Sequence, residues 1–433
     1  MPGNRSLGFL AAGQDGGNLV GTTRRLAIAT SASPTIRATA SPDSGEVDAM
    51  LARARRVAVA CAGMAPARDE DAAFPLSEFG LLAEAGVLTA PLPRHRGGLG
   101  LGTEPGGVGP LLRLLELLGW GSLPVGRLYE GHANALALIE TFGSSEQTAR
   151  FAADIRDRSY RFAVWNTEGP DGVNLLPLAG DRFRLDGAKI FASGAGHVER
   201  PLLTAALPDG GWQMLILPTE RLSRPPRIDR SWWRPLGMRA SASYRIDLSG
   251  VEIDRDDLVG GPGDYYRQPW FAAGAIRFAA VQLGGAAALF DAGRADLGSR
   301  GRVDDPFQQA RFGEAAVALE GGRLWLRGAA ELADRSPFGG APPGDVADDE
   351  MVAYANLTRT AIEGACLDVL ERVERGVGSR GMLRPHPVER IGRDLTTYLR
   401  QPAPDAALAG AGRYVLASDR STIEAWGTGE RER

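Results

Sequence analysis

The stretch DRFRLDGAKIFAS, residues 181–193, interrupts a chain that otherwise reads in helical periods. Phe183 and Leu185 alternate with Arg182, Arg184 and Asp186, the period-2 pattern of a strand with one buried and one wet face. Around it lie RFAVWNT (161–167), WQMLILP (212–218) and SYRIDLSGVEI (243–253), short apolar runs punctuated by Gly, Pro and Asp. Together they predict a compact antiparallel β-domain over 159–258.

On both sides the period returns to that of helices. From 45 to 158 a broad stripe (Leu111, Leu112, Leu114, Leu115, Leu117, Leu118) predicts buried helices, broken by the loop RHRGGLGLG at 94–102. After Tyr265, helical blocks at 271–297, 306–334 and 346–376 and a shorter pair beyond Pro387 predict an antiparallel bundle over 259–416. The fold class is α+β: an N-terminal helical domain, a central β-domain and a C-terminal four-helix bundle. Residues 1–44, rich in Gly, Ser, Thr, Ala and Arg, and 417–433 read as tails.

Bulk composition narrows the function. With 49 basic and 53 acidic residues the formal charge is -4, which gives no broad cationic field for nucleic acid or an anionic membrane. Two cysteines, Cys61 and Cys366, cannot make a disulfide framework, and His95, His132, His197 and His386 lack metal-ligand spacing. Without an evident secretory or membrane-spanning segment, a cytoplasmic location is the default expectation. Lys189 is the sole lysine, a skew toward arginine that reads as coding bias.

The order helices, small β-domain, long helical bundle resembles the acyl-CoA dehydrogenase family, and local strings agree in sequence order. FGLLAEAGVLTAPLPRHRGGLGLG (79–102) looks like the family's segment ending in Gly-Gly-Leu-Gly, and NTEGPDG (166–172) is similar to its Thr-Glu-Pro turn. GAKIFASGAG (187–196), PLGMRASAS (235–243) with VEID, GSRGM (378–382) and HPVERIGRDL (386–395) complete a resemblance covering roughly 45–416.

The resemblance implies bound FAD and a flavin-dependent oxidoreductase acting on the CH–CH group of an acyl thioester. Asn166 and Thr167 would bond the pyrimidine edge; Phe191 would replace a ring-stacking tryptophan, and Ser193 a threonine near N5. Arg300, Gly378 and Gly381 are candidates for the pyrophosphate, reaching the FAD of a neighbouring subunit in a homodimer or homotetramer. Phe191, Ser193 and Arg300 each have a plainer structural reading: a strand residue, a turn hydroxyl and a solvated helix-end arginine.

The pattern breaks at the catalytic base. A family dehydrogenase needs a carboxylate to remove the α proton. Counting from Arg393-Asp394, read as a structural ion pair, its place falls at Gln401-Pro402-Ala403, and the alternative place falls near Gly274, neither of them acidic. Asp405 is the nearest downstream carboxylate, either a relocated base or a cap on the last helix. The Gly-Ser-Asp expected after Thr-Glu-Pro is also missing, which puts thioester recognition in question. Two alternatives therefore stand: a flavin-dependent monooxygenase on the same fold, which needs no such base, and a non-catalytic scaffold or binding protein.

Overall fold

The computed structural model describes residues 44–344, 346–421 and 426, so the expected tails fall largely outside the described residues. Helices α1 (Ser44–Asp71) and α2 (Leu76–Glu84) lead through the 94–102 loop to α3 (Val108–Gly121), α4 (Leu123–Phe142) and α5 (Ser145–Arg158). Ser122 is extended between α3 and α4, and its hydroxyl caps α4 by accepting from the Val125 amide. Ser144 and Gln147 close a reciprocal capping box on α5.

Ten strands follow among the described residues: β1 (Phe162–Trp165), β2 (Asn174–Pro177), β3 (Arg182–Asp186), β4 (Ala188–Ala192), β5 (Arg200–Ala206), β6 (Trp212–Ile216), β7 (Arg227–Asp229), β8 (Tyr244–Asp247), β9 (Val251–Asp254) and β10 (Leu258–Val259). The larger sheet runs β10-β6-β5-β2-β3-β9, with β1 beside β5; the smaller runs β4-β8-β7. Pairing is mostly antiparallel, but β1 and β2 each meet β5 in parallel. Their inward residues, among them Trp165, Leu185, Leu203, Leu215, Ile246 and Ile253, form one core.

The 181–193 stretch proves to be two strands in different sheets. Gly187 turns the corner at φ 121°, where a Cβ would lie 2.3 Å from the Gly172 carbonyl oxygen, so only glycine fits.

The chain then enters α6 (Trp270–Ala273), α7 (Ala275–Ser299), α8 (Pro306–Ala333), α9 (Asp348–Val377), α10 (Pro387–Tyr398) and α11 (Pro404–Ala417). Helix α7 packs on α8, α9 and α10, and equally on α3 and α4. The N-terminal helices and the bundle consequently share one continuous hydrophobic core. Residues 270–299 are long and apolar enough to cross a membrane, but their most apolar window is 83% buried inside the protein, as befits a central core helix. Cys61 and Cys366 are buried and unpaired.

Two glycines let α3 and α7 touch backbone to backbone. A methyl on Gly119 would come within 2.1 Å of the Val281 carbonyl oxygen, and one on Gly284 within 2.0 Å of the Glu116 carbonyl oxygen. Gly284→Ala is therefore expected to destabilise the fold by about 1–3 kcal/mol through overpacking. Gly313→Ala, in open space on α8, should instead be neutral or stabilise by up to about 1 kcal/mol through helix propensity. Denaturant unfolding of the two variants checks this contrast.

Candidate functional site

The end of β1 and the strand β4 lie side by side, which brings Asn166, Thr167, Phe191 and Ser193 together. The Ile190 amide donates to the Thr167 carbonyl at 3.1 Å, and Trp165 Nε1 donates to the Ser193 carbonyl at 2.9 Å. The β4–β8 register slips between Lys189 and Ala192, a bulge that redirects the side chains within it. Phe191 sits in that bulge at φ 53°, a left-handed conformation that costs a non-glycine residue about 1–3 kcal/mol and that clusters at functional sites. Its ring stands 49% exposed, edge-on to Trp232 at 4.9 Å and Trp233 at 6.0 Å.

Asn166 is held from two sides. Its Oδ1 accepts from Thr204 Oγ1 at 2.8 Å and from the Tyr266 hydroxyl at 3.2 Å, leaving its amide N–H donors uncommitted among the described residues. Beneath it lies Lys189, wholly buried, donating to a Glu168 carboxylate oxygen, to Thr204 Oγ1 at 3.1 Å and to the Asn166 carbonyl at 3.4 Å. Burial lowers the ammonium pKa, against the opposing pull of Glu168. Glu168 also accepts from the Val173 amide at 2.8 Å, which fixes the turn after β1.

An isoalloxazine needs an apolar or aromatic face and hydrogen-bonding groups at its edge. The exposed Phe191 ring and the free Asn166 donors meet both needs on an open surface. Thr167 is exposed beside them. Ser193 is buried instead, its hydroxyl 2.9 Å from that of Ser243, which in turn lies 2.7 Å from that of Ser241.

The remaining expected residues lie elsewhere. Arg300 caps the far end of α7, donating to Asp296 Oδ2 at 2.9 Å and to the Val377 carbonyl at 3.2 Å. Burial works against the Asp296 charge, but bonds from Arg300 and His386 outweigh it and hold its pKa low. Gly378 ends α9 at φ 77°, and the Gly381 amide bonds back to its carbonyl at 2.9 Å, so these three do assemble. Asp405 is exposed in the first turn of α11, where a carboxylate favours the helix dipole. Arg393 and Asp394 do not pair with each other as the sequence suggested. Arg393 binds Asp69 at 2.7 Å and Glu389 at 2.5 Å. Asp394 accepts from the Met238 amide at 2.5 Å and faces Arg390 at 3.6 Å.

A second polar cluster was not anticipated from sequence. Arg127 and Glu130 of α4 form an ion pair at 2.6 Å. Arg277, in the first turn of α7, donates to Asn134 Oδ1 at 2.6 Å and lies 4.6 Å over the Phe338 ring. Tyr265 and Tyr398 share the field of this pair, and burial raises both phenol pKa values. Tyr265 stacks edge-on with Tyr266 at 5.0 Å, which links the cluster to Asn166. The one available signal was a pair of charges three residues apart inside the apolar helix LPVGRLYEGHANALALIE (123–140). An open depression of about 610 Å³ near Phe142, Gln147, Arg150 and Gly260 shares no residue with either cluster.

Known proteins carry the same arrangement of elements. A dibenzothiophene monooxygenase of Mycolicibacterium goodii is 24% identical over 379 residues, spanning 81% of this chain and 89% of the relative. The mitochondrial isobutyryl-CoA dehydrogenase of Dictyostelium discoideum is 23% identical over 78% of this chain and 81% of its own. The crystal structure of TdsC from Paenibacillus sp. A11-2 with FMN and indole superposes at a TM-score of 0.76, with 20% identity, covering 85% of this chain and 96% of that one. The family models for the acyl-CoA dehydrogenase N-terminal domain and C-terminal domain match residues 44–158 and 276–400, on either side of the β-domain that presents Asn166 and Phe191. With helices and strands in the family's order and both flanking domains matched, this chain belongs to the acyl-CoA dehydrogenase family.

Proposed function

We propose that this protein is a flavin-dependent monooxygenase that uses reduced FMN and molecular oxygen on a small organic substrate. The observation that carries this reading is the absence, among the described residues, of a free carboxylate at the strand edge. Glu168 is bonded by Lys189 and the Val173 amide, and Glu130 is bonded by Arg127. These bonds hold each carboxylate against its partners, away from the place where a base would meet a carbon-bound proton. Asp405 stands in solvent. A monooxygenase needs no such base; bound reduced flavin supplies the electrons that activate oxygen.

FMN, in place of the FAD expected from sequence, is supported by the state of Arg300. A guanidinium already neutralised by Asp296 is a poor partner for an added pyrophosphate. The FMN in the TdsC complex agrees with this choice. A second copy of the chain is part of the proposal. Arg277 and Ser299 lie about 33 Å apart along α7 at 1.5 Å per residue, so the Arg300 cluster is out of reach of an FMN at the strand edge of the same chain. The homodimer or homotetramer in this proposal rests on the family resemblance, and light scattering tests for it.

Photoreduced FMN with oxygen and an aromatic heterocycle such as indole should yield an oxygenated product that carries label from ¹⁸O₂. Butyryl-CoA should leave the oxidised flavin band unbleached under anaerobic conditions. Bleaching by butyryl-CoA, lost in Asp405→Asn, would establish the dehydrogenase reading instead.

Removing Lys189 should leave the Glu168 carboxylate uncompensated, costing about 3 kcal/mol of stability. Lys189→Met is therefore expected to weaken FMN binding at least tenfold by fluorescence titration, with Glu168→Gln in the same chain restoring stability more than affinity. Asp296→Asn should strengthen FAD binding several-fold and leave FMN binding unchanged.

A further inference from the structure

We infer that the crevice between α4, α7 and α10 binds a small organic anion, a carboxylate, sulfinate or sulfonate on an aromatic body, as the substrate presented to the flavin. This rests on the monooxygenase reading and adds the chemical class of its substrate.

Helix α4 supplies the first observation. From Gly121 to Ile139 its residues and the turn before it are buried, with two departures, Arg127 and Asn134. They are seven residues apart and thus on one helical face. Arg127 keeps 26% of its side chain accessible in the middle of an otherwise buried helix, so solvent reaches that face, and we take the gap there as the crevice.

The charge in the crevice does not balance. Arg127 and Arg277 are cationic, and Glu130 is the one carboxylate whose field reaches both. Glu130 is bonded to Arg127. Arg277 is 3% exposed and has no carboxylate within ion-pair distance among the described residues. Its described bond is to neutral Asn134. Its place in the first turn of α7 adds the unfavourable field of a helix N-terminus. Burial lowers its pKa to about 10, which still leaves it charged at neutral pH. A buried, unmatched cation costs several kcal/mol, and an anionic ligand would offset that cost.

A third observation comes from α10. Tyr398 is 4% exposed and its hydroxyl has no hydrogen-bond partner among the described residues. Unsatisfied buried hydroxyls are rare, and an anion's oxygen would accept from this one. Aromatic rings surround the cluster: Phe338 beneath Arg277, Tyr265 beside the Arg127 pair, and Phe271, 41% exposed, 5.6 Å from Tyr265. Through Tyr266 and Asn166 the crevice adjoins the strand edge proposed for flavin.

The test uses the flavin-free full-length chain, so that anion binding and flavin chemistry can fail separately. Benzoate and benzenesulfonate are titrated by calorimetry beside neutral benzamide. Both anions, or one of them, should bind at least tenfold more tightly than benzamide. Arg277→Met should erase that preference, Tyr398→Phe should reduce it a few-fold, and Glu130→Gln should strengthen it. Equal binding of benzoate, benzenesulfonate and benzamide, or an undiminished preference in Arg277→Met, overturns the proposal. If Arg277→Met does not fold, Glu130→Gln decides: tighter benzoate binding supports the crevice, and unchanged or weaker binding refutes it.

Discussion

The buried ammonium of Lys189 is the constraint on which the strand edge depends. This chain uses arginine at every other cationic position, 48 in all, and keeps lysine only where the cation has no exposure. An ammonium is compact and offers three rotatable donors, and here its acceptors are a carboxylate, a hydroxyl and a backbone carbonyl. A planar guanidinium needs more room and a flatter set of acceptors. By gathering Glu168, Thr204 and the Asn166 carbonyl, Lys189 fixes the turn after β1 against β4, and that junction positions Asn166 beside Phe191. The skew that reads as coding bias along the rest of the chain has a physical exception at this position.

A second constraint is the backbone contact of α3 with α7. Because Gly119 and Gly284 allow it, α7 serves the N-terminal helices and the bundle at once, and its first turn is fixed relative to α4. Arg277 consequently meets Asn134 across the domain boundary. The same rigid helix carries Arg300 to its opposite end. One element thus sets the surroundings of Arg277 and holds the Arg300 cluster away from them.

Much of this was legible in sequence, and the parts that were not share a physical cause. Alternation exposed β3 and β9 because each has one wet face. It missed β5, RPLLTAA, whose residues are nearly all buried and therefore carry no period. Motif order pointed to Asn166, Thr167, Phe191 and Ser193, which come together because the end of β1 lies beside β4 across the β2–β3 excursion. It could not foresee that Ser193 would spend its hydroxyl on Ser243, a residue fifty positions away. Arg127 and Arg277 were invisible for the same reason: only packing of α4 on α7 shows that the second guanidinium lacks a carboxylate. Adjacency misled for Arg393 and Asp394, because consecutive helical residues point about 100° apart and meet different partners.

One place expected for the family's carboxylate falls in a short connection that the fold pins firmly. Between α10 and α11, Gln401 donates to the Tyr398 carbonyl at 2.9 Å, which also accepts from Gln282 of α7 at 2.9 Å. Arg359 of α9 donates to the Pro402 carbonyl at 3.2 Å. Pro402 and Pro404 restrict the backbone on either side of Ala403, which is left-handed at φ 52° and starts α11 at once. Swinging Asp405 inward would break the Arg359 bond and unwind the first turn of α11, giving up packing that α11 makes on α9. The residues that dock α10 on the β-domain, Asp394 on the Met238 amide and Thr397 on the Gly237 amide, lie upstream and are untouched by this connection. The scaffold can therefore do without a carboxylate at this place and not loosen, and the proposed chemistry rests on the strand edge around Phe191 and the cations around Arg277.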